Sequence, residues 1–246
     1  MTFCLGIKVK EGLVGLSDTR VTSGSECITA RKVTVYRQDH SGMFLMTSGL
    51  RSVRDKALTY FDENIQERDQ PYDRLFKAVN GFAEQVRRVA AEDRKALEDS
   101  GLNFNIHALI GGQLAGDSEH KLYLMYPQGN WVEVSKGTPY YIIGASGYGK
   151  PVLDRTLKYE DSMRHALRVG CLAFDSTRIS AADVDFPMDV VLYEPERRRI
   201  VEYRYNKEDL EESSHWWQEW LRGGLEQLPS GWMETSFSLL DEEPSQ

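Results

Sequence analysis

The sequence predicts an α+β protein, a four-layer αββα sandwich in which two antiparallel sheets are flanked by helices. The first observation is length, because 246 residues, of which 41% are hydrophobic, can bury a sizeable core within one domain. The second is order, because strand-like segments come in blocks that are separated by pairs of helical segments. Strict alternation of strand and helix would instead predict a parallel, doubly wound sheet. Short, hairpin-like connections within the blocks favour antiparallel pairing.

The first block of strands opens the sequence. Its segments are short, rich in Val, Ile, Phe and Tyr, and bounded by Gly, Asp and Ser, which is typical of strands. They cover residues 3–9, 12–18, 33–37 and 43–48. Two helices are then predicted over residues 50–66 and 72–99, where apolar residues recur at steps of three and four.

The second half of the chain has the same order of elements. Turn residues separate four further strand-like segments, predicted over residues 105–114, 121–127, 131–135 and 140–145. A second pair of helices is predicted near residues 150–159 and 162–175. A hairpin over residues 189–194 and 200–205 closes the series. We therefore expect each sheet to be covered by one pair of helices.

The chain is expected to comprise one domain, residues 1–206, followed by a C-terminal extension, residues 207–246. The extension begins with a helix that reaches about residue 228 and ends in an acidic, loose tail. Its net charge equals that of the whole protein. The helix carries Trp216, Trp217 and Trp220, which belong either to a core or to an interface with another chain.

Composition excludes several classes of function. The chain has 30 Lys and Arg against 38 Asp and Glu, a net charge of −8, which argues against a nucleic-acid partner. There is no apolar run of the length that crosses a membrane and no secretory signal, so a cytoplasmic protein is expected. The three cysteines, Cys4, Cys27 and Cys171, and the five scattered histidines lack the spacing of metal ligands. We therefore expect neither a metal nor a cofactor.

The chemistry of greatest interest lies at the front of the chain. Thr2 becomes the first residue if Met1 is removed. A free N-terminal threonine combines a nucleophilic hydroxyl with an α-amine that can act as its base at neutral pH. Many sequences begin with Met-Thr by chance, so this hypothesis depends on the residues that follow.

Two later residues could support such a nucleophile. Asp18 ends the second predicted strand, and Lys32 opens the third. A hydroxyl loses its proton more readily beside a cation, and a lysine held by an aspartate supplies a cation at a fixed position. The alternative is a surface ion pair together with a turn residue, and spacing alone does not decide between them.

Taken together, the motifs of the chain resemble those of proteasome β-type subunits, which are N-terminal nucleophile hydrolases. The resemblance covers most of the first 205 residues, and within the family it is nearest to the bacterial ancestral β subunits, or Anbu proteins. The matching positions are Thr2, Gly6-Ile7-Lys8, Gly12, Ser17-Asp18-Thr19-Arg20, Arg31-Lys32-Val33, Thr47-Ser48-Gly49, Gly144-Ala145-Ser146-Gly147-Tyr148-Gly149 and Phe174-Asp175-Ser176.

The resemblance implies a role for each of these site residues. Thr2 would be the nucleophile and its α-amine the general base. Lys32 would lower the pKa of the hydroxyl, and Asp18 would orient Lys32. The N–H of Gly49 would form the oxyanion hole.

A second set would hold the threonine amine. The resemblance assigns this role to Ser146 and Asp175. A further supporting serine is expected near position 178, where this chain has Arg178, so Ser176 or Ser180 would have to substitute for it.

The implied protein is a threonine-type endopeptidase subunit that hydrolyses peptides or unfolded proteins. It would work in a homo-oligomer, with dimers assembling into a ring or an open helical turn; the sequence leaves open whether an ATP-dependent unfoldase partner exists. Two alternatives remain: an assembly subunit without proteolytic activity, and an amidohydrolase of a small amide. Arg51, close after Gly49, is expected to line the specificity pocket and to favour acidic side chains.

Overall fold

The computed structural model describes residues 2–23, 26–38 and 41–241. Within this part of the chain the strands form two five-stranded antiparallel sheets and a separate two-stranded hairpin. The first sheet has the strand order β10-β1-β2-β11-β12. Its strands are β1 (Phe3–Val9), β2 (Gly12–Asp18), β10 (Tyr140–Gly144), β11 (Met188–Glu194) and β12 (Arg199–Tyr205).

The second sheet has the strand order β5-β6-β7-β8-β9. Its first two strands pair as a hairpin. Strand β6 also pairs with β7, although two helices lie between these strands in the chain. The strands are β5 (Val33–Gln38), β6 (Ser41–Gly49), β7 (Ile106–Gln113), β8 (Lys121–Met125) and β9 (Trp131–Glu133).

Two pairs of helices form the outer layers. Helices α1 (Arg51–Gln66) and α2 (Leu75–Asp99) pack on the second sheet, with Phe61 and Phe82 in the shared core. Helix α4 (Met163–Ser180), which pairs with α3 (Lys150–Thr156), packs on β1 and β2 of the first sheet.

The two sheets face each other across a second apolar cluster. Cys4 and Leu13 of the first sheet pack there with Phe44, Leu109 and Leu122 of the second. Every residue of β1 and β2 is buried, because one face of these strands meets α4 and the other meets the second sheet. The predicted αββα order of layers is confirmed.

The sequence did not predict the hairpin β3 (Arg20–Ser23) with β4 (Glu26–Thr29). Its strands have four residues each and carry several polar side chains, so no apolar run marks them. The second helix also begins at Leu75, three residues after the predicted start. These differences affect the ends of elements and one short ribbon, and they leave the order of layers unchanged.

The chain divides into two compact units, residues 1–207 and residues 208–246. The second unit holds most of α5 (Lys207–Glu226), a 3-10 turn (Gly231–Met233) and α6 (Glu234–Asp241). The expected loose tail is therefore partly helical. No residue of α5 is buried, and Trp216 and Trp220 are 59% and 56% exposed. In the described residues, no helix is both long and apolar enough to cross a bilayer.

Candidate active site

Thr2 is fixed in place by its neighbours at the start of β1. The backbone N–H of Phe3 donates to Oδ1 of Asp18 at 2.8 Å. On the other side, the N–H of Ala145 donates to the carbonyl oxygen of Thr2 at 2.7 Å. Met1, whose removal the sequence led us to expect, lies outside the described residues. Thr2 itself is half-buried.

Glycine at position 144 allows this close approach. Gly144 has a φ of +89°, a conformation that residues with a Cβ rarely adopt. A Cβ at this position would also collide with the carbonyl oxygen of Thr2. The glycine of the Gly144–Gly149 motif therefore shapes the backbone around Thr2.

Lys32 and Asp18 form a buried ion pair next to this strand end. Nζ of Lys32 donates to Oδ1 of Asp18 at 2.6 Å and to the carbonyl oxygen of Arg20 at 2.7 Å. The side chains are 2% and 0% exposed, respectively, which excludes the surface ion pair considered from the sequence. Burial raises the pKa of Asp18 above its ordinary value, although Lys32 and the Phe3 amide oppose this shift.

A cavity of about 380 Å³ opens above the ion pair. Thr2, Lys32, Gly49 and Gly144 all contribute to its wall. Gly49 has a φ of +135°, and a Cβ on it would collide with the carbonyl oxygen of Asn105. Three of the predicted catalytic residues, Thr2, Lys32 and Gly49, thus line one cavity. Asp18 holds Lys32 from a position outside the cavity wall.

The remaining charged residues in the described wall are arginines. Arg20 comes from β3, and Arg51 and Arg54 lie three residues apart in the first turn of α1, where side chains share a face. The sequence pointed to Arg51 alone. Arg54 could have been found from its spacing to Arg51, but Arg20 depends on the hairpin that the sequence did not predict.

The two other predicted residues do not line this cavity. Ser146 is exposed and lines a different cavity, together with Tyr140 and Tyr141. Among the described residues, the structure gives it no hydrogen bond to Thr2. Asp175 is buried in α4, where it accepts a hydrogen bond from Nη2 of Arg178 at 2.6 Å. The arginine at the position where a serine was expected is thus a partner of Asp175.

Of the two substitutes for that serine, Ser176 is half-buried and Ser180 is exposed at the end of α4. The sequence did not reveal the role of the Phe3 N–H, which ties the strand carrying Thr2 to Asp18. A backbone donor leaves no mark in a sequence, so only the fold could have revealed it.

The layers and the first strand define the class of protein. A four-layer αββα sandwich of two antiparallel sheets has the architecture of N-terminal nucleophile hydrolases such as proteasome subunits. The sequence profile of the family described as "Proteasome subunit" matches residues 2–183. The chain belongs to the proteasome subunit family.

Solved structures of Anbu proteins share the fold over nearly the whole chain. The Anbu complex of Pseudomonas aeruginosa, described as a helical assembly, is 29% identical with a TM-score of 0.86, and the match covers 93% of this chain and 97% of that one. Anbu from Yersinia bercovieri is 28% identical, with a TM-score of 0.85 and coverage of 92% and 97%. A mutant Anbu from Hyphomicrobium sp. strain MC1 is 26% identical, with a TM-score of 0.85 and coverage of 93% and 99%. No curated protein matches the chain.

Proposed function

We propose that this proteasome-like subunit is a threonine peptidase that hydrolyses peptide bonds through Thr2 after removal of Met1. One observation carries the proposal. A single oxygen of Asp18 accepts hydrogen bonds from both Lys32 and the amide of Phe3. The strand that carries Thr2 and the ammonium group of Lys32, both of which reach the wall of one cavity, therefore share Asp18 as a buried anchor.

The first chemical step is attack by the hydroxyl of Thr2 on the carbonyl carbon of the substrate. The free α-amine of Thr2 accepts the hydroxyl proton, and the ammonium group of Lys32 favours the developing alkoxide. Asp18 keeps Lys32 in place. Because both groups are buried, their interaction is screened much less than that of a surface pair.

Charge then develops on the oxygen of the attacked carbonyl. The backbone N–H of Gly49 is proposed to donate to this oxygen, as in other oxyanion holes. Collapse of the tetrahedral intermediate expels the amine product, which takes up the proton held by the α-amine. An ester on Thr2 remains, and water attacks it with the same α-amine as base.

Ser146 and Asp175 remain the proposed positioning groups for the α-amine. Asp175 is already fixed by Arg178 on α4, a helix that packs on β1. Ser146 follows Ala145, whose N–H holds the carbonyl of Thr2. Both residues thus belong to backbone segments that adjoin the strand of Thr2, which supports this proposed role.

The subunit is further proposed to work in a homo-oligomer. An Anbu relative is described as a helical assembly, and α5 of this chain exposes Trp216 and Trp220. Exposed aromatic side chains are enriched in interfaces between proteins. An assembly would also keep folded proteins away from the nucleophile.

Intact mass and activity measurements test the proposal. The protein made in cells should lack the mass of one methionine, and it should cleave members of a library of peptides and small amides. Thr2→Ala should lose this hydrolysis, Thr2→Ser should keep part of it, and Thr156→Ala on the exposed face of α3 should match the unchanged protein.

Each other outcome points to a different function. Retention of Met1 in all molecules would exclude the free α-amine. Equal hydrolysis by Thr2→Ala would exclude Thr2 as the nucleophile. A protein that assembles but hydrolyses nothing would be an assembly subunit, and one that acts only on small amides would be an amidohydrolase.

A further inference from the structure

Every charged residue in the described wall of the Thr2 cavity is a cation. Lys32, Arg20, Arg51 and Arg54 line it, and no Asp or Glu does. A cleft lined by charges of one sign concentrates ligands of the opposite sign. The wall therefore favours an anionic group.

The partners of these cations lie outside the wall. Lys32 is paired with Asp18, and Nη1 of Arg20 donates to Asp185 at 3.2 Å. Arg51 and Arg54 share one carboxylate, that of Asp55. Two guanidinium groups on a single carboxylate leave one positive charge without a counter-charge in this cluster.

Arg51 carries that remaining charge. Arg54 donates through Nε and Nη2 to Asp55 at 2.8 and 2.6 Å, whereas Arg51 reaches it only through Nε at 3.3 Å. Among the described residues, the terminal Nη groups of Arg51 have no hydrogen-bond partner. Its side chain is 54% exposed, so these groups remain available to a ligand.

The wall also contains a neutral donor. Thr47, at the end of β6, lines the same cavity, and its buried Oγ1 has no partner in the described part of the chain. A buried hydroxyl without a partner is costly. Because this oxygen is shielded from solvent, Arg51 is the donor that we expect a ligand in the cavity to meet.

We propose that this cavity binds the carboxylate of an acidic side chain on the residue whose carbonyl Thr2 attacks. The inference rests on the proposed function, since it names the substrate class of the same site. A planar guanidinium binds a carboxylate through two parallel hydrogen bonds. The volume of about 380 Å³ lies at the lower end of the range of ligand pockets, about 300–1,000 Å³, and accommodates a Glu or Asp side chain.

Matched peptides test the specificity. Three peptides carry Glu, Gln or Lys before the same neutral reporter amide, so that none has a free terminal carboxylate. The trimmed protein should cleave the Glu peptide with the highest kcat/KM and the Lys peptide with the lowest. Arg51→Gln should reduce the Glu-to-Gln ratio about tenfold, because a charge-assisted hydrogen bond is lost.

Arg88→Gln is the matched control. Arg88 pairs with Glu92 four residues later on α2, as Arg51 pairs with Asp55, and its side chain is also 54% exposed. It lies outside the cavity wall. The Glu-to-Gln ratio of Arg88→Gln should equal that of the unchanged protein.

A second arm separates a side-chain carboxylate from a terminal one. Peptides with Gln at the cleaved position end one residue later in either a free carboxylate or an amide. Preference for the free carboxylate, with no preference for Glu over Gln, would overturn the side-chain assignment. Equal cleavage of the Glu, Gln and Lys peptides would also overturn it.

A binding measurement keeps this test independent of catalysis. Calorimetric titration of Thr2→Ala with the Glu and Gln peptides should give tighter binding of the Glu peptide, and Arg51→Gln in that background should remove the difference. If no peptide is cleaved, the proposed function fails, and this titration decides the specificity alone. Equal affinity for both peptides would overturn the inference.

Discussion

One oxygen of Asp18 connects the two groups on which the proposed chemistry depends. It accepts from the amide of Phe3 and from Nζ of Lys32, while Oδ2 has no partner among the described residues. Burial raises the pKa of Asp18, and the attraction of Lys32 opposes that rise. Removing Lys32 should therefore change both activity and the pH dependence of stability.

Lys32→Met should lower kcat at least about 100-fold, the size of effect found when one stabilising donor is lost. It should also lower the free energy of unfolding at pH 7 by about 3–5 kcal/mol, because a buried charge loses its partner. The loss should be smaller at pH 5, because the folded state binds a proton on Asp18 at a higher pH than the unfolded chain does. Between the pKa of Asp18 in the unfolded chain and its higher pKa in the folded state, the free energy of unfolding falls as pH rises. Urea unfolding at both pH values measures this.

The double variant Lys32→Met/Asp18→Asn serves as its control. It removes both charges, so the stability at pH 7 should return toward that of the unchanged protein while activity remains lost. A stability loss of Lys32→Met that is equal at pH 5 and pH 7 would contradict the raised pKa of Asp18.

His120 gives a separate pH dependence. Its Nε2 lies 2.8 Å from the carbonyl oxygen of Val9, which can only accept, so Nε2 carries the proton. Burial lowers the pKa of His120 below its ordinary value of 6.5, and Lys8 and Lys121 add to this. The unfolded chain then binds the extra proton first, so the free energy of unfolding should fall as pH drops below 6.5.

His120→Gln should reduce this fall in the free energy of unfolding at acid pH. Unfolding at pH 5.5 and pH 7.5 measures it, with the exposed His215 changed to Gln as the control. The His215 variant should retain the pH dependence of the unchanged protein, and a His120 variant that retains it as well would contradict the assignment.

Helix α4 is the element that ties Asp175 to the first sheet. It begins where Ser162 Oγ accepts the N–H of His165 at 3.2 Å, a capping interaction that satisfies one unpaired amide of the first turn. Ser162→Ala should lower the free energy of unfolding by about 1 kcal/mol. Ser180→Ala at the exposed other end of α4 should change it by less than about 0.5 kcal/mol. Equal effects of the two changes on chemical unfolding would argue against the cap.

The elements also show which parts of the fold and the site could be predicted from the sequence alone. Strands β1 and β2 were predicted with their observed bounds, because a strand buried on both faces is an almost continuous apolar run between turn residues. Asp18, Lys32 and Gly49 followed from motifs near those strands. The hairpin β3–β4 could not be predicted, because its pairing is made by backbone groups of short, polar segments. Arg20 in the cavity wall was missed for the same reason.

The residues proposed to hold the amine illustrate a second limit. Ser146 and Asp175 were identified by motif, but a motif does not say which neighbour a side chain binds. Asp175 binds Arg178, three residues later on the same helix. That contact depends on the rotamers of both side chains within the packed layer, which spacing alone does not determine.

The chain as a whole consists of two compact units, of which the second exposes an aromatic surface on α5. Trp217 and Trp220 stack with ring centroids 5.4 Å apart, and Trp216 and Trp220 are exposed. We expect Trp216→Ser/Trp220→Ser to reduce the mass of the assembly in light scattering while leaving the thermal midpoint of the subunit unchanged, because neither side chain is part of a core.

Leu102→Ser removes a single exposed apolar side chain, which is common on protein surfaces, and should leave the assembly intact. A double Trp variant with the assembly mass of the unchanged protein would show that α5 does not hold the subunits together.

The position of β1 has a consequence for hydrogen exchange. Chain ends usually fray, yet β1 is paired on both sides and covered on both faces. Amides in such a strand exchange with solvent only through nearly complete unfolding. The amide of Phe3, which donates to Asp18, should therefore be among the slowest to take up deuterium. The backbone that carries Thr2 would then be held as rigidly as the core.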